Sequence, residues 1–95
     1  HIDGTGRIAA VTPDGDSLRY RIATPPELLR YIVAKGFIAV DGASLTVIDV
    51  VPDAFTFMLV AYTQKHLALP KQPVGARVHI EVDLLAKYVE RMMGR

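Results

Sequence analysis

The run Arg77-Val-His-Ile-Glu-Val-Asp83 alternates apolar and polar positions, with Val78, Ile80 and Val82 on one side and Arg77, His79, Glu81 and Asp83 on the other. A period of two predicts a half-buried β-strand. Ser17–Ala23 repeats the pattern, with Leu18, Tyr20 and Ile22 inward. Pro13-Asp-Gly-Asp16 separates it from a strand over 7–12 and has the composition of a hairpin turn. Asp41-Gly42 is a two-residue turn signal between strands at 37–40 and 43–51. Pro52-Asp-Ala54 then turns the chain into a strand over 55–62. The pattern thus predicts six strands with antiparallel connections.

Two segments read as helices. Thr24-Pro-Pro-Glu27 fits a capping box with proline in the first turn, Leu28, Leu29, Ile32 and Val33 follow at helical spacing, and Gly36 stops the run. From about position 84, Leu84, Leu85, Tyr88, Val89 and Met92 share one helical face, and Lys87, Glu90 and Arg91 the other. So many apolar residues at a chain end are expected to cap the sheet or to pack on other subunits. Six short strands with little helix favour a small closed barrel, because closure removes edge strands.

Composition narrows the function. Ninety-five residues fit one domain, and 51% apolar with 22% charged excludes a disordered tail. Eleven Lys/Arg against ten Asp/Glu, scattered along the chain, offer no phosphate-tracking nucleic-acid surface. No apolar run approaches the roughly 18 residues of a membrane-spanning helix. The absence of cysteine excludes a disulfide framework, a thiolate metal site and a cysteine nucleophile. A first residue of His1 rather than Met is what a processed or excised piece of a longer chain would have.

Gly4-Thr-Gly6-Arg-Ile-Ala9 matches a dinucleotide-binding fingerprint in letters only, since a strand follows where a helix is needed. The glycines are expected to serve close packing at a strand entry. His79 and Glu81 form an H-x-E without the P-C-x-x-C that a zinc deaminase also needs, and read as a solvated strand face. His66 lies in a connecting segment without an obvious partner. Ser44 and Thr46, two apart on a strand, place their hydroxyls on one face, and Thr63 is placed to bring a third. Such a set suits a planar heterocycle with alternating donors and acceptors. On pattern alone, a solvent-facing Ser/Thr pair is the simpler reading.

Three blocks carry a family resemblance. His1-Ile-Asp-Gly-Thr-Gly6, Lys35-Gly-Phe-Ile-Ala-Val-Asp-Gly-Ala-Ser-Leu-Thr-Val47 and Val78-His-Ile-Glu-Val-Asp-Leu-Leu-Ala-Lys-Tyr-Val-Glu-Arg91 resemble the second lumazine-binding repeat of riboflavin synthases, in order and over essentially the whole chain. The resemblance implies an all-β, six-stranded antiparallel Greek-key barrel with a short inserted helix and a C-terminal helix. It implies binding of 6,7-dimethyl-8-ribityllumazine. Two such molecules exchange a four-carbon unit to give riboflavin and 5-amino-6-ribitylamino-uracil, with no metal and no cofactor.

In that family the site forms where the first barrel of one subunit meets the second barrel of another, in trimers that use a C-terminal helix. The resemblance implies His1, Ser44, Asp41 and Asp83 as catalytic positions, His1 being the candidate for proton transfer and Asp41 equally able to hold its turn. It implies lumazine contacts from His1, Ile2, Lys35, Ser44, Leu45 and Thr46, and from Leu59, Val60, Ala61, Tyr62, Thr63 and Gln64. Backbone groups of Val60 and Ala61 would read the pyrimidine edge, and Lys35 would approach the ribityl chain or the partner's ring.

Two departures stand out: Val60-Ala-Tyr-Thr63 where bacterial members have Ile-Pro-x-Thr, and Val78-His-Ile-Glu81 where the family has V-N-(L/I)-E. The first resembles plant and algal members, so the expected compartment is the plastid stroma there and the cytoplasm in bacteria. A non-catalytic lumazine- or flavin-binding antenna protein is the alternative function, and a barrel with no ligand a third.

Overall fold

A computed structural model describes residues 2–94. His1 lies outside the described residues. The chain forms β1 (Gly4–Asp14), β2 (Ser17–Ala23), α1 (Pro26–Leu29), β3 (Phe37–Val40), β4 (Ala43–Thr46), β5 (Asp49–Val51), β6 (Ala54–Leu59), α2 (Ala61–Gln64), a 3₁₀ turn (Leu69–Lys71), β7 (Arg77–Val82) and α3 (Leu84–Met92). The strands make one antiparallel sheet in the order β4-β3-β7-β1-β2-β6-β5, forming a half-barrel.

Seven strands replace the six expected, because the run 43–51 changes partner midway. Its first half pairs with β3, with Ile38 opposite Leu45 and Ala39 opposite Ser44. Val47 still donates its N–H to Gly36 O (2.9 Å), but Ile48 donates to Thr56 O (2.8 Å), and β5 pairs with β6. The two ends of the sheet are therefore halves of one continuous run.

The turns follow the local chemistry. Asp41 (φ 48°) and Gly42 (φ 82°) both occupy the left-handed region, as a two-residue hairpin between Val40 and Ala43 requires. A register shift between Ile8 and Ala10 re-phases β1, so that Ile8 lies opposite Ile22 and Val11 opposite Tyr20. Gly6 is needed for close approach: a Cβ there would meet the Ala23 carbonyl at 2.6 Å and Ile80 Cδ1 at 2.8 Å. The Gly4/Gly6 pair therefore serves strand packing, as the sequence context indicated.

The core lies on the concave face: Ile8, Tyr20, Ile22, Val40, Val47, Phe55, Phe57, Val78 and Ile80 are almost fully buried. The strand expected over 55–62 ends at Leu59, because its partner β2 is exhausted where Leu18 pairs with Leu59. Gln64 Nε2 then donates to Leu59 O and to Asp16 O (both 2.9 Å), tying α2 back to the strand end.

The expected capping box is absent. Pro25 is the N-cap of α1 and no side chain caps it. A residue before proline is driven to extended backbone, and the Thr24 hydroxyl donates back to Ile22 O (2.9 Å). The helix is one turn long, and Leu28, Leu29 and Ile32 are buried while Val33 is exposed.

Helix α3 does not cap the sheet. Its N-cap, Asp83, accepts from Leu85 N–H (3.0 Å), and the helix docks by its polar side. Lys87 pairs with Asp3, and Glu90 accepts from the Tyr31 hydroxyl (2.6 Å) and pairs with Arg30 (2.5 Å). Leu84, Leu85, Tyr88, Val89 and Met92 all stay exposed. A terminal helix has few core positions within reach, and here the ion pairs fix which side faces the body.

Burial pushes the Asp3 carboxyl up. Hydrogen bonds from Lys87 and from Val82 N–H (2.9 Å), with the Lys87 charge, outweigh that and hold it below the usual carboxylate range. Its contribution is therefore present above the unfolded carboxylate value of about 3.9 and is lost as pH falls through the lower folded value. Thermal melts across pH should show a decline below about pH 4 that Asp3→Asn flattens, with a lower melting temperature at neutral pH. A variant melting like the parent at every pH would show that the Asp3 anchor carries no stability.

Candidate functional site

Strand pairing sorts the candidate residues into two faces. Outward on β4 are Ser44 and Thr46, both exposed; Leu45 between them is buried in the core. On β3, Phe37 sits opposite Thr46, and Ala39 opposite Ser44. On β7, Glu81 sits opposite Ala39. Asp41 donates its N–H to His79 O (2.8 Å) and accepts His79 N–H on its carboxylate (2.7 Å).

The outer face of β4-β3-β7 is thus a lattice of rows about 6.6 Å apart: Thr46–Phe37, then Ser44–Ala39–Glu81, then Asp41–His79. Two hollows lie on it. One, of about 250 Å³, is lined by Phe37, Ala39, Ser44, Glu81, Asp83 and Leu84 among others. The other, of about 540 Å³, touches Ile2, Asp41, Gln72, Arg77 and His79 and shares Ala39 and Glu81 with the first.

Four candidates, Ile2, Asp41, Ser44 and Asp83, therefore border one continuous surface. Asp41 and Asp83 each spend a carboxylate oxygen on a backbone N–H, Asp41 at its turn and Asp83 at the start of α3. Lys35 stands at the other end of β3 with φ 69°, its N–H donated to Val47 O (2.8 Å) and its side chain exposed.

The stretch 59–64 reaches the same edge from the other side. β4 approaches β6, the strand that ends at Leu59 and leads into this stretch. Leu59 is in the core, Val60 and Tyr62 are exposed, and Thr63 and Gln64 are half-buried. The Tyr62 ring packs on His66 with centroids 4.5 Å apart, which gives that histidine its partner.

Phe37 and Ala39 carry no site signal of their own in the sequence, and Glu81 reads there with His79 as a solvated strand face. Their alternation in β3 and β7 is visible, but the β3–β7 pairing joins residues forty or more positions apart and has no local signal. Among the described residues there is no cluster of three His, Asp or Glu able to hold a metal.

Comparison with known proteins decides the family: the lumazine binding domain model matches residues 1–83. The chain belongs to the lumazine-binding domain family. It is 44% identical to riboflavin synthase of Actinobacillus pleuropneumoniae over 98% of this chain and 43% of that protein. It is 44% identical to that of Mycobacterium tuberculosis (98% and 48%) and 37% to that of Schizosaccharomyces pombe (98% and 45%). The chain thus spans just under half the length of the curated relatives it matches. Solved structures of LumP share the fold: the complex with 6,7-dimethyl-8-(1'-D-ribityl) lumazine at TM-score 0.79 and 26% identity, covering 86% of this chain and 45% of that one. The riboflavin complex matches at TM-score 0.76 and 26% identity, covering 85% and 44%.

Proposed function

We propose that this domain is the second lumazine-binding barrel of a riboflavin synthase and holds one of the two 6,7-dimethyl-8-ribityllumazine molecules that the reaction consumes. The observation that carries this reading is the family match together with a face on which Ser44 and Thr46 stand exposed, on a strand that approaches β6. The domain itself is read as a six-stranded Greek-key barrel. With β4 and β5 counted as one strand, β3, that strand and β6 form a meander, and β7 returns after a long connection to lie beside β3.

On this reading the Ser44, Thr46 and Thr63 hydroxyls and the Val60 and Ala61 backbone take the polar edge of the pteridine, and Lys35 flanks it from the turn before β3. Ile2, Leu45, Leu59, Tyr62 and Gln64 shape and support the slot. Asp41 and Asp83 border it, and His1 is the candidate proton carrier. The C7 methyl of the lumazine is acidic because its anion spreads into the ring, and hydrogen bonds to the ring carbonyls stabilise that charge where it develops. The larger contribution is positioning: holding two large reactants face to face removes about 7–11 kcal/mol of barrier in favourable cases. A first barrel from another subunit supplies the second lumazine. The exposed apolar face of α3 supports assembly of full-length chains, read here as a trimer.

The test is turnover. The full protein carrying this domain should convert the lumazine to riboflavin without added metal or cofactor. The LumP matches favour a second reading, a lumazine- or flavin-binding protein without catalysis. Tight, fluorescent binding with no riboflavin formed would establish that reading instead.

A further inference from the structure

Ala39 is the only side chain between Ser44 and Glu81 in their row, pairing with Ser44 on β4 and with Glu81 on β7. Residues directly opposite in a sheet have Cβ atoms about 4.5–5.5 Å apart, so Ser44 and Glu81 face each other across about 10 Å. A single methyl group floors the gap, and the hollow of about 250 Å³ lies there with Ser44 and Glu81 on its walls. Phe37 and Asp83 close one end. Among the described residues Glu81 makes no side-chain hydrogen bond and no ion pair, feeling only the more distant charge of Lys87, whereas Asp41 and Asp83, which border the same hollows, each hold a backbone N–H.

We propose that Glu81 is a further substrate-contacting residue, accepting a hydrogen bond from the lumazine opposite Ser44, with Ala39 kept small as the floor of the slot. This rests on the lumazine-binding reading above. A serine hydroxyl both donates and accepts, but a carboxylate only accepts. A ligand seated here must turn a donor toward β7, and the lumazine carries two kinds, ring N–H and ribityl hydroxyl.

The experiment titrates 6,7-dimethyl-8-ribityllumazine and 6,7,8-trimethyllumazine, which lacks the polyol, against the full protein and three variants. Glu81→Gln should weaken the ribityl ligand about tenfold, the difference between a charged and a neutral acceptor. Ala39→Leu should abolish binding by filling the slot. His79→Asn, on the same strand but bordering only the larger hollow, should bind as the parent does. All three should melt within a few degrees of the parent, because the side chains point outward. If the Glu81→Gln loss persists with the trimethyl ligand, the donor is on the ring; if it vanishes, the donor is a hydroxyl; either supports the contact. Unchanged binding by Glu81→Gln and Ala39→Leu, while Ser44→Ala weakens it, would overturn the proposal and leave the functional reading standing. A parent that binds no lumazine would overturn both.

Discussion

Phe57→Ala should be the most destabilising single truncation in the domain, costing about 3–5 kcal/mol. Phe57 is fully buried in β6, directly opposite Tyr20 on β2. Its ring stacks on Tyr20 with centroids 5.1 Å apart and 5° between planes, and packs on Phe55 at 6.1 Å. Truncation removes both aromatic contacts, each worth about 0.5–1.5 kcal/mol beyond burial. It also opens a cavity in a tightly packed core, where the surrounding structure relaxes only partly. Small domains are stable by only about 5–15 kcal/mol, and each kcal/mol moves the melting temperature by about 4–8 °C at this size. A fall of roughly 12 °C or more is expected, read by thermal or urea denaturation. Phe57→Leu, which keeps most of the volume, should cost under about 1.5 kcal/mol. If the alanine variant loses less than about 1 kcal/mol, the ring is not part of a tight core.

The core was legible in the sequence because it rests on local periodicity. Val78, Ile80 and Val82 face inward as their alternation requires, and Tyr20 and Ile22 do likewise. The Asp41-Gly42 turn was legible for the same reason, since only its backbone chemistry is at issue. What failed depended on partners. Nothing in Ala-Ser-Leu-Thr-Val-Ile-Asp-Val-Val tells that its first half bonds to β3 and its second to β6, so one strand was expected where the structure has two. The Thr24 cap fails because Pro25 itself precedes a proline and stays extended (ψ 147°), so the helix begins at Pro26 and the cap position falls to Pro25.

The site shows the same division. Ser44 and Thr46 emerged from spacing within one strand, whereas Glu81 joins them through long-range pairing across β3. The alternation that placed Glu81 outward was read as a solvated face, and what changes its meaning is its neighbour, the methyl of Ala39. For α3, periodicity gives the two faces, and of the two roles expected for the apolar one, capping the sheet is excluded. The polar side holds the body through Asp3, Tyr31 and Arg30, and the apolar side is left outward.

The double variant Ser44→Ala/Thr46→Ala should fold normally and bind lumazine poorly. Both residues are exposed, so their hydroxyls lie open to solvent. Stability should therefore stay within about 0.5 kcal/mol of the parent. A hydrogen bond to a bound ligand is worth about 0.5–1.5 kcal/mol each, so losing two should weaken binding about fivefold to 150-fold. Fluorescence titration with the lumazine reads this directly, and riboflavin formation by the full protein should fall at least as far. Leu45→Ala is the opposing control. Its side chain points into the core, so it should lose about 2–5 kcal/mol of stability. If the double variant bound lumazine as tightly as the parent, the β4 face would not be where the ring sits. The functional reading would then rest on the 59–64 stretch alone.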